Sequence, residues 1–218
     1  KPKRPCSYPN CPRLTDKQWK QLPDFPGEAR VQPVLAAIEK ENDTLLYVLG
    51  GFFGGDATKA PTMGEKVLAF SLKQQQWQEV GVQENPSKEI FSLTGATALA
   101  IDNRYIACFG GVNHRLFINT ITDLYHLGKD TTLTDEQRKQ KNYDYMSHYM
   151  TQPIEYYQFN KECYLFDTHT QQWSVLDTQA DFARAGATLV GTPAEFYLIQ
   201  GELKPGVRSP KTYRLKIN

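Results

Sequence analysis

The chain has 218 residues, of which 40% are hydrophobic, so it is long enough to bury a core in one large domain or two small ones. Its formal net charge of +1 comes from acids and bases spread along the chain, which excludes a broad field that attracts nucleic acid or an anionic membrane. No stretch approaches the roughly 18 consecutive apolar residues of a membrane helix, so a soluble globular protein is expected.

Residues 1–18 form an irregular, Pro-rich segment that begins KPKR and includes CSYPNC. It shows no positive region followed by an apolar run, so a secretory signal is expected to be absent or already removed. Cys6 and Cys11 bracket part of this segment and could form a local disulfide in an oxidising compartment. Cys108 and Cys163 lie within predicted strands, where they are expected to be buried as small hydrophobic residues.

A repeated pattern occupies the rest of the chain, 19–218, and Trp19 in WKQLPDFP marks the closing strand of a preceding unit. The first unit reads VQPVLAAIEKENDTLLYVLGG and KVLAFSLKQQQWQEV, and the second reads GATALAIDNRYIACFGG and KECYLFDTHTQQWSVL. The third reads GATLVGTPAEFYLIQGE and KTYRLKIN. Each complete unit predicts four short antiparallel strands, the last of which contains Trp77 or Trp173.

The second unit carries a long insertion at about 114–160, in which two helices are predicted. Apolar residues at near-helical spacing mark the first helix: Leu116, Ile121 and Leu124. Thr134 and Gln137 fit a capping box at the start of a second helix, which is expected to run to about Met150 and to end before Pro153.

The double glycine, the aromatic residue and the Trp of each unit, in this order, resemble the kelch motif. The resemblance implies an all-β, kelch-type β-propeller, of which this chain supplies one closing strand, two full blades and most of a third. A β-sandwich is the alternative, and the common place of Trp19, Trp77 and Trp173 in their units disfavours it. An open arc exposes apolar blade faces, so the remaining blades are expected from missing sequence or from a second chain.

The stretch QGELKPGVR, 200–208, follows the third of these strands and carries a charge where the other units have a double glycine. On this pattern Glu202 replaces a glycine of the repeat, and Arg208 lies close enough to share its pocket. Pro205 and Gly206 restrict the conformations of the loop. Equivalent connections of successive blades emerge on one face, so the loop and the insertion are expected to be neighbours that wall a small-molecule site.

A more specific resemblance is carried by GGVN at 110–113, GKD at 128–130, TQQWS at 170–174 and GELKPGVR at 201–208. These motifs resemble those of the N-acetylneuraminate epimerases, the bacterial sialic acid mutarotases. The resemblance implies a six-bladed ring about twice as long as this chain, usually exported to the periplasm, that interconverts the α and β anomers of N-acetylneuraminic acid without a cofactor. It also implies that Glu202 and Arg208 are the catalytic pair.

The chemistry of anomer exchange suits these residue types. A hemiketal opens when its anomeric hydroxyl loses a proton and its ring oxygen gains one, and a carboxylate such as that of Glu202 assists such a step by about 10² to 10⁴ in rate. The guanidinium of Arg208 can bind the carboxylate of a sialic acid through two hydrogen bonds. The sequence therefore predicts Glu202 as general base and Arg208 as substrate anchor.

Three further residues are weaker candidates for substrate binding. Asn113 follows the second double glycine, and capping the turn is its alternative role. Arg30 and Arg184 precede first strands at corresponding places, so a structural role repeated in each blade is their alternative. His114 and Arg115 begin the insertion and could face the pocket.

Two other classes of protein are alternatives. A non-catalytic kelch propeller that binds a protein or glycan partner is one, because the fold does not determine the function. A copper oxidase is the other, but it requires clustered Tyr, His and Cys ligands that no spacing here supports. The histidines are scattered and paired CxxC motifs are lacking, so no metal site is predicted.

Overall fold

The computed structural model of the chain describes residues 21–192 and 194–217. The predicted segment 1–18, the possible Cys6–Cys11 disulfide and the closing strand at Trp19 lie outside the described residues. The described chain builds three antiparallel sheets in succession, which we call blades 1, 2 and 3.

Blade 1 is a four-stranded sheet in which the strand nearest the start of the unit lies at one edge and the Trp-containing strand at the other. Its order is β1-β2-β5-β6, and a short hairpin, β3-β4, projects from the connection between the second and third sheet strands. The bounds are β1 (Val34–Lys40), β2 (Asp43–Leu49), β3 (Phe52–Phe53), β4 (Thr62–Met63), β5 (Lys66–Ser71) and β6 (Gln76–Val82).

Blade 2 has the same topology, and the helical insertion takes the place of the short hairpin. Its strands pair in the order β7-β8-β9-β10. In chain order the elements are β7 (Thr97–Ile101), β8 (Tyr105–Phe109), α1 (His114–Gly128), α2 (Asp135–Thr151), a 3-10 turn (Ile154–Tyr157), β9 (Glu162–Asp167) and β10 (Gln172–Thr178).

Blade 3 is a three-stranded sheet in the described residues, with the order β11-β12-β15 and a second short hairpin, β13-β14. The bounds are β11 (Thr188–Thr192), β12 (Glu195–Ile199), β13 (Glu202–Lys204), β14 (Val207–Arg208) and β15 (Thr212–Leu215). We call 202–208 the charged hairpin. It occupies the same connection of its blade as the insertion, 114–160, does in blade 2.

The core is divided between the two interfaces where blades stack. Along β8, Ile106 and Cys108 pack in the interface with blade 1, whereas Ala107 and Phe109 pack in the interface with blade 3. Blade 2 therefore buries both faces, which explains why its strands read as continuous apolar runs rather than as alternating ones. Cys108 is buried, and so is Cys163 on β9, as predicted.

The blades fan outwards from a common edge. β1 lies against β7 and β7 against β11, so the first strands of successive blades are neighbours. Just before these strands, the Gly95 N–H donates to Gln32 O at 3.1 Å and the Gly186 N–H donates to Gly95 O at 2.7 Å. This relay of backbone hydrogen bonds runs from blade to blade around the inner edge.

The tryptophans fasten the outer edge. Trp173 Nε1 donates to Val82 O of blade 1 at 2.9 Å, and Trp77 Nε1 donates to Pro23 O at 3.1 Å. Each indole thus donates to a backbone carbonyl of a segment that precedes its own sheet.

The insertion folds as predicted. Asn113 caps α1 by accepting a hydrogen bond from the Leu116 N–H, and Thr134 and Gln137 form both halves of a capping box at the start of α2. A small cluster of Val112, Tyr157 and Phe159 with Ala185 of blade 3 fastens the insertion to the blades.

Candidate functional site

The register of the repeat corrects one sequence prediction. Gly50, Gly110 and Gln200 follow the second strands of blades 1, 2 and 3, and all three have positive φ angles, of +65°, +74° and +56°. Gln200 therefore occupies the place of the first glycine, and Gly201 that of the second. Glu202 comes one position after the second glycine. The sequence prediction that Glu202 replaces a glycine of the repeat is therefore wrong.

The backbone pairing confirms this equivalence. Phe52 exchanges two hydrogen bonds with Val31 in blade 1, and Glu202 exchanges two with Ala185, at 2.7 and 2.9 Å, in blade 3. Ala185 directly precedes Gly186 of the inner relay. Glu202 is therefore held close to the common edge of the blades, where Phe52 lies in blade 1.

The charged hairpin brings its two charged candidates together. Glu202 and Arg208 are directly opposite each other in the β13-β14 register, and Arg208 Nη1 donates to Glu202 Oε1. The same carboxylate oxygen accepts the Gly206 N–H at 2.9 Å. The turn is Pro205-Gly206, and Gly206 has φ +79°, a conformation that glycine adopts without strain.

Exposure differs between the two partners. The Glu202 side chain is 27% exposed and that of Arg208 is 69% exposed. The carboxylate is thus held by the backbone N–H of Gly206 in the turn, whereas most of the guanidinium side chain extends into solvent.

The charged hairpin contacts the insertion, as the topology predicted. Lys204 Nζ donates to Gln152 O at 2.6 Å and to Met150 O at 3.2 Å, both at the end of α2. The single residue between Glu202 and Lys204 in the sequence, Leu203, lies in a bulge of the β13-β14 pairing. The two charged side chains of β13 therefore serve different partners on one short strand.

A cavity of about 610 Å³ lies between the end of the insertion and the connection from β6 to β7, and the charged hairpin reaches its rim through Leu203. Leu203, Asn113, Ile154 and Phe159 contribute to its wall, together with Tyr164 of β9. Burial, with help from nearby carboxylates, raises the pKa of Tyr164 to about 12, so its phenol stays neutral. Glu202 and Arg208 do not line this cavity, so the predicted walled site is not enclosed by the described residues alone.

The insertion residues have local partners. The Asn113 side-chain oxygen caps α1 at 3.0 Å from the Leu116 N–H, which is the alternative role that the sequence allowed. His114 Nε2 lies 3.0 Å from Glu65 Oε1 of the β4-β5 connection, and Arg115 is exposed. A role of Asn113 in substrate binding stays a prediction.

Arg30 and Arg184 hold the ends of second strands in their own blades. Arg30 Nη1 donates to Gly50 O at 3.2 Å, and Arg184 Nη1 donates to the equivalent carbonyl, Gln200 O. Arg184 is only 2% exposed, and burial lowers the pKa of Arg30. The structure therefore supports the repeated structural role, and the substrate-binding role predicted for both arginines stays a prediction.

In blade 2 a different residue donates to the carbonyl that follows the second strand. Leu93 stands where the other blades have arginine, and Asn160 Nδ2 donates to Gly110 O at 2.9 Å and to Ser92 O at 2.6 Å. Each of the three equivalent carbonyls therefore has a side-chain donor. Sequence analysis missed Asn160 because it lies far along the chain, at the end of the insertion, and has no counterpart in the other units.

Comparison of the chain with known proteins shows its family. A model of the family described as N-acetylneuraminate epimerase matches residues 13–218. The N-acetylneuraminate epimerases of Escherichia coli (strain K12) and Shigella sonnei (strain Ss046) are each 32% identical over 200 residues, which is 92% of this chain and 49% of the relative. The chain belongs to the N-acetylneuraminate epimerase family.

The chain spans about half the length of the epimerases that it matches. The solved structure of YjhT is similar to it, with a TM-score of 0.77 and 28% sequence identity over 94% of this chain and 54% of that one. This likeness, together with the three stacked sheets, confirms the predicted all-β propeller arc with a helical insertion.

Residues 21–192 and 194–217 show neither a candidate metal site nor a candidate membrane helix. That part of the chain contains no group of three or more His, Cys, Asp or Glu side chains placed to hold a metal ion. Neither of its helices is both long and apolar enough to cross a membrane. The charged hairpin, on which Glu202 and Arg208 lie opposite each other, is the candidate site.

Proposed function

We propose that this chain forms part of a sialic acid mutarotase, which interconverts the α and β anomers of N-acetylneuraminic acid. The observation that carries the proposal is the placement of a carboxylate and an opposed, exposed guanidinium on one short hairpin in a chain of the epimerase family. Glu202 acts as the general base and Arg208 as the substrate anchor.

Substrate binding exchanges the partners of this pair. The sugar carboxylate competes with Glu202 for the exposed guanidinium of Arg208, which binds a carboxylate through two parallel hydrogen bonds. Glu202 then keeps the Gly206 N–H as a fixed donor and gains a lone pair directed at the substrate. Binding therefore prepares the base, because it removes the cation that occupies the carboxylate in the free protein.

The reaction itself is a ring opening and a ring closure. Glu202 takes the proton of the anomeric hydroxyl, a carbonyl forms at the anomeric carbon, its bond to the ring oxygen breaks, and that oxygen takes a proton from water. Rotation about the bond next to the carbonyl presents its other face. Closure on that face returns both protons and yields the other anomer with no net change in composition.

The remainder of the ring completes the pocket. The chain covers about half the length of its relatives, so we propose that further blades, from the same protein or from a second chain, supply the opposite wall. Asn113, Arg30 and Arg184 remain candidate substrate ligands. A periplasmic or otherwise exported location, which the resemblance implies, is likewise a proposal.

Proton NMR of freshly released α-sialic acid, recorded with and without the protein, tests the assignment. We expect Glu202→Gln to reduce the exchange of anomer signals to the uncatalysed rate, a loss of about 10² to 10⁴ in rate. Sugar binding, measured by calorimetry, should stay within a few-fold, because the amide retains the shape of the carboxylate.

A matched control is Glu41→Gln, which changes an exposed glutamate at the turn between β1 and β2, at the other end of the blade. It should leave anomer exchange unchanged. Wild-type exchange rates in Glu202→Gln would reject Glu202 as the base, and a complete ring that contains the wild-type chain but has no effect on the anomers would reject the proposed function.

A further inference from the structure

The tip of the charged hairpin has little support of its own. A two-stranded hairpin is at best marginally stable by itself in water. The base of this one is fixed by the two hydrogen bonds between Glu202 and Ala185 and by the Ser209 N–H, which donates to Gly201 O at 2.8 Å. The turn at Pro205-Gly206 lies beyond these contacts and requires another attachment.

Lys204 supplies that attachment. Its ammonium group donates to Met150 O in the last turn of α2 and to Gln152 O, the carbonyl of the residue that directly follows the helix. Carbonyls at the end of a helix have no partner within the helix and carry the negative end of its dipole, so a lysine there gains both hydrogen bonds and charge attraction. The contact joins a hairpin of blade 3 to an insertion of blade 2.

The attachment bears directly on the carboxylate. Glu202 Oε1 accepts the Gly206 N–H, so the orientation of the turn determines where the carboxylate points. Lys204 directly precedes the turn and fixes it against Met150, whose side chain lies beside Gly206. Movement of the tip away from α2 would therefore carry the Gly206 donor away from Glu202.

We propose that Lys204 is a positioning residue, whose two hydrogen bonds to the end of α2 hold the charged hairpin in the orientation that catalysis requires. This inference rests on the proposed function of Glu202. It also gives the helical insertion a role, since α2 becomes the support against which the catalytic strand is held.

The test compares Lys204→Met, Lys204→Arg and wild type in the full chain. We expect Lys204→Met to lower kcat for anomer exchange by roughly 10- to 100-fold, because small displacements of a reacting group cost this much, and to leave KM within about threefold. Lys204→Arg should restore most of kcat, since a guanidinium can also donate to two carbonyls. Lys211→Met, at an exposed lysine after the same hairpin, is the matched control and should change neither parameter.

Amide hydrogen exchange measured by mass spectrometry gives a readout that does not depend on activity. Peptides covering 201–209 should exchange faster in Lys204→Met than in wild type, in Lys204→Arg or in Lys211→Met. Lys204→Gln repeats the comparison should Lys204→Met not fold. Unchanged exchange would overturn the attachment, and faster exchange with unchanged kcat would overturn its role in positioning. Should the complete ring with the wild-type chain lack activity, the proposed function fails while the exchange data still report on the attachment.

Discussion

Arg208 has chemical properties that a lysine in its place would lack. Its planar guanidinium binds a carboxylate through two hydrogen bonds, whereas an ammonium group acts as a point charge. In the free protein Arg208 binds Glu202, and in the proposed complex it binds the sugar carboxylate. The identity of the cation should therefore matter more for substrate binding than for the proton transfer.

Arg208→Lys tests this distinction. We expect KM for sialic acid to rise about tenfold, equivalent to about 1.4 kcal/mol, while kcat falls less, because the base is unchanged. Both parameters follow from NMR exchange rates measured at several sugar concentrations. A variant in which kcat falls and KM is unchanged would assign Arg208 to the chemical step rather than to anchoring.

Asp167 is a residue whose charge stabilises blade 2. Arg104 Nε and Nη2 donate to its two carboxylate oxygens at 3.1 and 2.6 Å, and the His169 N–H donates to one of them at 2.9 Å. These donors, Arg104 first, hold the pKa of Asp167 well below its usual range. The contact joins the turn between β7 and β8 to the turn between β9 and β10.

A lowered carboxyl pKa contributes stability above the pKa of the unfolded chain, about 3.9, and that stability is lost as the pH falls below this value towards the folded pKa. We expect Asp167→Asn to lower the free energy of unfolding at pH 7 by about 1 to 2 kcal/mol and to flatten its decline below pH 4. Urea titrations between pH 3 and 7 measure both effects. Asp102→Asn, in the neighbouring turn, is the control, and an equal pH dependence in the two variants would contradict this role of Asp167.

At the scale of elements, sequence pattern located most strands and both helices. The capping box of Thr134 and Gln137 was readable because it depends on two residues three apart, and α2 ends at Thr151, close to the predicted end at Met150. The apolar stripe likewise located α1. Local signals of this kind survive in the structure because the insertion forms its caps from its own residues.

The double-glycine pattern gave the wrong register in blade 3, where a glutamine takes the place of the first glycine. Gln200 adopts a left-handed conformation that glycine adopts in the other blades, so a search for double glycines shifted the register and assigned Glu202 to a glycine position. The short strands of the charged hairpin were missed for a related reason. With only two or three residues and a bulge, they carry no periodicity, and the residues looked like a loop.

Contacts between distant elements were also out of reach. Lys204 binds the end of α2, and Asn160 takes over in blade 2 the task of Arg30 and Arg184. Neither residue belongs to a repeated or periodic pattern, so nothing in the sequence joins it to its partner. The candidate site was predictable as a pair of charges, but its support became visible only in the fold.

At the scale of the molecule, the described blades form an open arc, and apolar side chains are exposed on the outer faces of its two end blades but buried between the blades. Leu35 on β1 is 67% exposed and Val190 on β11 is 53% exposed. Leu189, which takes the place of Leu35 in blade 3, packs against the interface with blade 2. The same position of the repeat is therefore covered where a preceding blade is present and open where it is not.

This pair of leucines provides a test of how the chain is assembled in solution. We expect Leu189→Ala to lower the free energy of unfolding of this chain by about 1.5 to 3 kcal/mol, because it opens a cavity between blades 2 and 3. Leu35→Ala should change it by less than about 0.5 kcal/mol, because its side chain is already in water. Urea denaturation followed by Trp fluorescence measures both values. A large loss in Leu35→Ala would contradict the open arc and show that β1 is covered in solution, as it would be if further blades or a second chain closed the ring.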